Sequence, residues 1–289
     1  MPYEIALGDR AYSSWSLRGW LLFERFGIPY KARHARLGSD AFAMLMRDFW
    51  PARTVPAVRF PEVTNADSLA IAEELATRHP EAGIWPNGPA ARAIARSLAA
   101  EMHSGFLPLR RACGMNLRVS YSEFPVDEEV TANLGRLEAI WAYAREACGG
   151  KEPWLCGDYS AADAFFAPVA ARIAGYCLKV SASAQAYVDA HLADPAFRRW
   201  RAMALVDGAD RLEYFHENPR RDWPGAVTLP ARAIEGGVPE NAICPYSGEP
   251  VTHLMELDGR IFGFCSAFCR DKTVADPEVW PEFAKLHGG

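Results

Sequence analysis

The sequence predicts a chain of three parts: an α/β unit, an all-helical region and a small C-terminal β+α segment. Strand-like and helix-like stretches alternate through residues 1–80, which is typical of an α/β fold. Apolar residues then recur at helical spacing through residues 88–205. A linker rich in proline and glycine covers residues 206–238, and a segment that contains three cysteines follows at 239–289.

The elements of the first part are predicted in the order β-α-β-α-β-β-α. YEIALG has a strand pattern, and SSWSLRGWLLFERFG predicts a helix that begins at a serine cluster and ends at Gly27. IPYKARHARL predicts a second strand. The stretch 38–54, which looks irregular, takes the place of the second helix in this order, and VPAVRF and EVTN predict the next two strands. Asp67 and Ser68 then begin a helix that ends before Pro80.

The later parts have their own markers. Ile94, Leu98 and Met102 fall on one helical stripe. Ser160 and Asp163 stand before an apolar run as a variant capping box, with Asp where Glu or Gln is usual. In the tail, VTHLMEL and RIFGF flank an Asp-Gly turn and predict a pair of strands, and a short helix is expected near Ser266.

Composition and charge exclude several classes of function. The formal net charge is −5, and residues 239–289 carry eight carboxylates against four Lys and Arg, which argues against binding to nucleic acid. No apolar run approaches the ~20 residues needed to span a membrane. The first residues lack the basic start and apolar core of a signal peptide. We therefore expect a cytoplasmic protein whose seven cysteines are thiols or metal ligands rather than disulfides.

Three places in the first part suit an anionic thiol peptide. Ser13 and Ser14 start a helix directly after the first strand, where free backbone N–H groups and the helix dipole stabilise a bound thiolate. A cis-proline at Val55–Pro56 would leave the amide groups of Val55 free to pair with a peptide. The pair Asp67–Ser68 starts another helix, where N–H groups and the serine hydroxyl can take up a carboxylate.

Residues 1–205 resemble the cytosolic glutathione transferases through SSWSLRGW, TVPAV, ADSLAIAEEL and GDYSAADAFFAPV. The serine-type classes are the most similar, since SSWS-x-R resembles the SSCS-x-R of the zeta class. The resemblance implies a thioredoxin-like N-terminal domain followed by an all-α domain. It also implies glutathione as co-substrate, a small electrophile as second substrate, and a homodimer.

The resemblance also implies roles for individual residues. Ser13 would activate the glutathione thiolate, with Ser14 beside it as a second candidate. Val55 would pair with the cysteinyl backbone, Pro56 would be the cis-proline, and Asp67–Ser68 would hold the γ-glutamyl end. The hydroxyl would lower the pKa of the sulfur and so supply a nucleophile near neutral pH. The pocket for the second substrate would draw on helical residues: His103, Phe106, Arg110, Arg111 and Asn116.

The sequence departs from the family pattern at two places, so that more than one function is compatible with the resemblance. The turn WPARTVP has no lysine where related proteins have a P-S-G-K-V-P-like turn, and Trp15 replaces the cysteine of the zeta class. The leading hypothesis is a glutathione S-transferase. One alternative is a non-catalytic metal or redox sensor, or scaffold, with the same fold. Another is a glutathione-dependent isomerase of the maleylacetoacetate type.

The tail contains a set of cysteines with metal-ligand spacing. Cys244 lies in the turn CPYSG, and Cys265 and Cys269 follow as i and i+4 at a helix start, so that both sulfurs face one side. A turn thiolate with two helix thiolates predicts a treble-clef-like site, and three thiolates suit zinc or copper(I). A structural zinc needs a fourth ligand, for which His253, Asp271 and water stay open.

Residues 241–284 resemble the TRASH/YHS group of small metal-binding domains through CPYSG, FCSAFC and ADPEVW. The resemblance implies that the tail folds around a metal. The alternative is a small apolar domain with buried thiols and no metal.

Overall fold

The computed structural model of the protein describes residues 2–149 and 153–288. Residues 1, 150–152 and 289, which fall within the predicted parts, lie outside the described residues. The chain divides into two compact units. The first unit is Met1–Leu192 with Arg211–Pro224, and the second unit is Ala193–Asp210 with Gly225–Gly289. Within the described ranges, no helix is both long enough and apolar enough to cross a membrane.

The first unit begins with a thioredoxin-like α/β domain. Its sheet has the order β2-β1-β3-β4, in which β2 runs parallel to β1, and β3 and β4 are antiparallel to their neighbours. The stretch 38–54, irregular by pattern, contains a helix that Ser39 caps through its Oγ. The elements are β1 (Tyr3–Leu7), α1 (Ser14–Glu24), β2 (Tyr30–His34), α2 (Asp40–Asp48), β3 (Ala57–Arg59), β4 (Thr64–Ala66) and α3 (Ser68–Arg78).

Helix α1 lies directly on the turn that precedes β3. A Cβ atom at Gly19 would come within 2.5 Å of the Cβ of Pro56, so only glycine fits at this point of the helix. The Val55–Pro56 peptide bond is cis. Because α1 and this turn are packed so closely, the start of α1 and the backbone of Val55 are held in a fixed relation.

An all-α domain follows, centred on a buried helix. Helix α7 is buried along its whole length, and Asp163 in its first turn accepts hydrogen bonds from the backbone N–H of Ser160 and Leu155 and from Tyr187 Oη. The predicted Ser160–Asp163 capping box is therefore confirmed. The elements are α4 (Pro89–Ser104), α5 (Leu107–Ala112), β5 (Ser120–Tyr121), α6 (Glu128–Cys148), α7 (Ala161–Gly175) and α8 (Ala182–Ala193).

Residues 211–224, which we name the strap, belong to the first unit although they lie inside the predicted linker. The strap carries β6 (Arg220–Arg221), which pairs with β5 in antiparallel orientation. The ring of Tyr214 lies 4.7 Å from the ring of Tyr12, measured between centroids. The proline- and glycine-rich composition predicted a linker over 206–238, and within it these aromatic and strand contacts hold residues 211–224 on the first unit.

The second unit is a small sheet packed with helices. Its strands have the order β7-β8-β9, and the predicted Asp-Gly turn joins β8 to β9. The helix at 195–206 belongs to this unit, since Arg198 forms a two-bond ion pair with Asp276, with both N···O distances 2.8 Å. The elements are α9 (Pro195–Val206), β7 (Arg232–Ile234), β8 (His253–Leu257), β9 (Arg260–Phe264), α10 (Ala267–Ala275) and α11 (Pro281–His287).

Candidate active site and thiol cluster

A cavity of about 390 Å³ opens where α1, the β2–α2 loop, the turn before β3 and the start of α3 meet. It brings together three residues that the sequence predicted for one site, Ser13, Val55 and Asp67. A more voluminous cleft, of about 1070 Å³, lies beside residues 122–138 and is not lined by these three. The smaller cavity is lined by Ser13, Trp15, Leu37, Phe42, Arg53, Thr54, Val55 and Asp67.

Ser13 is the N-cap of α1, and the residue lines the cavity. Its Oγ accepts a hydrogen bond from the backbone N–H of Ser16 at 3.2 Å and donates one to Ser16 Oγ at 2.8 Å. Ser16 Oγ also accepts from the backbone N–H of Gly8 at 2.9 Å. The sequence interpretation missed Ser16, although its position three residues after the N-cap is the signal that marks a partner of the cap.

Ser14 has a different environment from its neighbour. Its Oγ accepts a hydrogen bond from Arg172 Nη2 at 3.0 Å and donates to Met115 Sδ at 3.7 Å. Burial, followed by the charge of Arg110, lowers the pKa of the Arg172 guanidinium to about 10. The Ser14 hydroxyl is thus bonded to a buried cation, whereas Ser13 lines the cavity and its hydroxyl is bonded to Ser16.

Asp67 and Ser68 form the start of α3. Asp67 has a positive φ of 77°, and its Oδ1 accepts from the backbone N–H groups of Leu69 and Ala70. Its Oδ2 lies 3.1 Å from Nε2 of His103. Ser68 is fully buried, and its Oγ has no hydrogen-bond partner among the described residues. A buried hydroxyl without a partner is costly. Asp67 lines the 390 Å³ cavity, whereas Ser68 is not among its lining residues.

The residues predicted for a second-substrate pocket have several different surroundings. His103 contacts Asp67, as described, and Phe106 is a buried residue with positive φ. Arg110 lies over the ring of Trp15 at 4.5 Å and donates to the carbonyl of Gly105 at 2.7 Å. As far as the structure describes the chain, the lining of the 390 Å³ cavity includes none of the five predicted residues.

Asn116 and Arg111 complete that predicted set. Asn116 is buried, donates from Nδ2 to the carbonyl of Tyr214 at 3.1 Å and accepts from the N–H of Arg118 at 2.9 Å. It therefore anchors the strap. Arg111 is exposed on α5. The predicted second-substrate role of these residues stays a prediction.

The three tail cysteines converge in the second unit. Their Sγ atoms all lie within 4.8 Å of one another, and those of Cys265 and Cys269 are 3.9 Å apart. Ser247 Oγ donates to Cys265 Sγ at 3.2 Å. The CPYSG turn is closed by a hydrogen bond from the N–H of Gly248 to the carbonyl of Cys244 at 2.9 Å.

The turn stabilises a thiolate at Cys244. Burial opposes ionisation of this thiol, but the backbone N–H groups of Cys265, Tyr246 and Ser247 and the Ser247 hydroxyl favour the charged form. As a result, the pKa of Cys244 falls from 9.0 to about 7. Burial raises the pKa of Cys269 to about 11. A set of thiols with one member close to ionisation is chemically suited to a soft metal ion.

Neither predicted fourth ligand joins this cluster in the described part of the chain. His253 begins β8, and its Nδ1 lies 2.9 Å from Thr252 Oγ1. The carboxylate of Asp271 accepts a hydrogen bond from Arg270 Nε at 2.7 Å. Hydroxyl groups do reach the cluster: Ser247 donates to Cys265 Sγ, and the Ser266 hydroxyl bonds the Cys269 thiol.

Comparison with known proteins shows which proteins the first unit is similar to. Residues 12–78 match the family described as Glutathione S-transferase, N-terminal domain. A glutathione transferase homolog from Burkholderia GL BGR1, solved with bound glutathione, superposes with a TM-score of 0.53 at 21% identity, covering 71% of this chain and 98% of that chain. The chain has the glutathione transferase fold.

Curated relatives of this glutathione transferase-like chain carry one name. Maleylacetoacetate isomerase of Dictyostelium discoideum is 30% identical over 118 residues, 39% of this chain and 52% of that protein. Maleylacetoacetate isomerase of Rattus norvegicus is 29% identical over 168 residues, 56% of this chain and 74% of that protein. The chain thus spans about half the length of the first of these relatives.

Several residues of the glutathione transferase-like cavity were absent from the predicted site. Leu37 and Phe42 come from the loop and helix after β2, and Arg53 and Thr54 come from the turn before β3. Leu37 and Phe42 lie in no motif that the sequence marks, whereas Arg53 and Thr54 lie in the turn WPARTVP, which the sequence analysis noted only for its missing lysine. Only the order of the strands brings them beside Ser13.

Proposed function

We propose that the protein is a glutathione-dependent enzyme in which the 390 Å³ cavity binds the tripeptide and Ser13 activates its thiol. One observation supports the proposal: Ser13, Val55 and Asp67 at the start of α3 all line one cavity. These are the three groups that a thiol, a peptide backbone and an amino acid end require. Relatives named maleylacetoacetate isomerase and a structural neighbour with bound glutathione support the same ligand.

The charges around the cavity suit the two ends of glutathione. Asp67 lines the cavity, and its carboxylate would accept from the γ-glutamyl ammonium group. Ser68, the next residue, is buried with no partner for its Oγ, and this hydroxyl would donate to the adjacent carboxylate when the ligand binds. Arg53 lies in the turn that lacks the lysine of related proteins, and it offers a cation to a carboxylate of the ligand. The backbone of Val55 would pair with the cysteinyl residue.

The proposed chemistry needs a thiolate and no covalent bond to the protein. The thiol proton of glutathione leaves to solvent, and the Ser13 O–H turns from Ser16 Oγ to donate to the sulfur. The N–H of Ser16 continues to hold Ser13 Oγ. With a transferase substrate, a C–S bond forms and the leaving group departs with its electron pair.

Isomerisation is the second candidate, because the curated relatives are named for it. The thiolate would add to the double bond of maleylacetoacetate, and rotation about the resulting single bond would follow. Elimination of the thiolate would then restore the double bond in the trans form and release glutathione unchanged. The two candidates share the activated thiolate and differ in whether glutathione is consumed.

Steady-state turnover separates the candidates. We expect glutathione to be consumed with an aromatic halide if the protein is a transferase, and to be regenerated with maleylacetoacetate if it is an isomerase. Calorimetric titration with glutathione accompanies both assays. Binding without turnover of either substrate would favour the non-catalytic sensor or scaffold, and absence of binding would contradict the proposal.

Replacing Ser68 by alanine tests the γ-glutamyl end. We expect the KM for glutathione to rise about tenfold, since a hydrogen bond to a charged group is lost. The free energy of unfolding of the ligand-free protein should stay equal or increase, because the substitution removes a buried hydroxyl without a partner. Urea titration and glutathione kinetics measure the two effects. A large loss of stability with unchanged KM would contradict this role.

For the second unit, we propose that Cys244, Cys265 and Cys269 hold one zinc or copper(I) ion. The convergence of three sulfurs on one point and the hydrogen bonds from the CPYSG turn support it. Water would complete the coordination, and the Ser247 hydroxyl would donate to the Cys265 thiolate. The homodimer implied by the resemblance is likewise a proposal, which light scattering on the purified chain would measure.

A further inference from the structure

We infer that Arg211 of the strap is a positioning residue for the glutathione cavity. It fixes Leu37 in the wall of the cavity and the loop that carries Ser13. The inference rests on the proposed function, since its effect is expected on glutathione binding. The strap follows the helical domain in sequence, in a stretch whose composition suggested a linker.

The first step is the hold on Leu37. Arg211 Nη1 lies 3.0 Å from Asp9 Oδ2 and donates to the carbonyl of Leu37 at 3.1 Å. The same Asp9 Oδ2 accepts the backbone N–H of Leu37 at 2.8 Å. The ion pair therefore binds both backbone polar groups of a residue whose side chain lines the cavity. The β2–α2 loop has this anchor at its centre.

The second step is the hold on Ser13. The carbonyl of Asp9 accepts the backbone N–H of Ser13 at 2.8 Å, which ties the ion pair to the start of α1. The backbone N–H of Arg211 donates to Tyr12 Oη at 3.1 Å, and the ring of Tyr214 packs against the ring of Tyr12. The strap thus contacts the loop that ends in Ser13 in two ways: through the ion pair of Arg211 with Asp9, and through the ring of Tyr214 on the ring of Tyr12.

The third step is the strength of the anchor. Asp9 is only 7% exposed, and the Arg211 side chain is 20% exposed, so the pair is shielded from water. A charge-assisted bond in such surroundings is stronger than one on the surface. Without the guanidinium, the Asp9 carboxylate keeps the Leu37 N–H but loses its cation, and the Leu37 carbonyl loses its donor.

The experiment compares Arg211→Gln and Arg211→Lys with Arg221→Gln as a matched control. Arg221 lies on the same strap, but its guanidinium donates to Ser120 Oγ at 3.1 Å and to the carbonyl of Ala174 at 3.0 Å. We expect Arg211→Gln to raise the KM for glutathione about tenfold with kcat changed less than about twofold. Arg211→Lys should recover part of the affinity, and Arg221→Gln should leave KM unchanged.

A second readout follows the backbone directly. Hydrogen exchange measured by mass spectrometry should show faster exchange around Leu37 in both Arg211 variants than in Arg221→Gln. If wild type binds glutathione and Arg211→Gln binds it equally well, or if Arg221→Gln raises KM as much, the inference is wrong. If wild type binds no glutathione, the proposed function itself fails and the inference falls with it. If Arg211→Gln does not fold, Arg211→Lys is compared with Arg221→Gln instead, for both the KM for glutathione and the exchange around Leu37.

Discussion

Replacing Ser13 by alanine is expected to lower kcat/KM with glutathione about 100-fold. The hydroxyl is the side-chain donor that faces the sulfur in the proposed complex, and a single donor to a developing anion is worth about 10²-fold or more. The substitution also removes the acceptor for the N–H of Ser16, which should cost about 1 kcal/mol of stability as a lost N-cap. Kinetics and urea titration of the same preparation separate the two losses.

Two variants control this result. Ser13→Thr keeps both the hydroxyl and the cap, and it should retain much of the activity. Ser14→Ala should keep activity within about threefold but lose stability, because buried Arg172 loses a hydrogen-bond partner. If Ser13→Ala kept full activity, or if only Ser14→Ala lost activity, thiol activation would be assigned to Ser14 instead of Ser13.

Removing two cysteines of the tail is expected to abolish metal binding. We expect about one zinc or copper per chain in the wild type and none in the double variant Cys265→Ala/Cys269→Ala, since one remaining thiolate cannot hold the ion. The second unit should then unfold at lower temperature, because a structural metal contributes directly to folding. Elemental analysis and calorimetry measure metal content and unfolding.

The control for the metal prediction is Cys148→Ala/Cys177→Ala, which removes two thiols outside the cluster. This variant should keep its metal. A wild type purified without chelator that is folded and free of metal would contradict the proposal. The tail would then be a small apolar domain with buried thiols.

Much of the fold could be predicted from the sequence because the signals are local. The strand and helix patterns of the first part and the Asp-Gly hairpin of the tail needed no tertiary information. The strap and the helix at 195–206 differ in this respect. Their patterns indicate the type of element, but Arg198 and Arg211 find their partners Asp276 and Asp9 only through the fold.

The sequence predicted which segments form the candidate site, but not which side chains in those segments face a ligand. Ser13 and Ser14 are consecutive at a helix start, and consecutive helical residues point about 100° apart, so the sequence alone does not say which hydroxyl faces a ligand. His103 shows the same limit, since a helical stripe does not reveal that its end meets Asp67. The three tail cysteines were predictable from spacing, whereas the fourth ligand depends on side-chain orientation.

The most direct test of thiolate activation at Ser13 is the pKa of the sulfur of bound glutathione. Ultraviolet absorbance of the thiolate, followed as pH is raised, gives this value in wild type and in Ser13→Ala. We predict a pKa well below the free-thiol value of about 8.5 in wild type, and a return toward that value in Ser13→Ala. Equal values in the two proteins would contradict the role of Ser13.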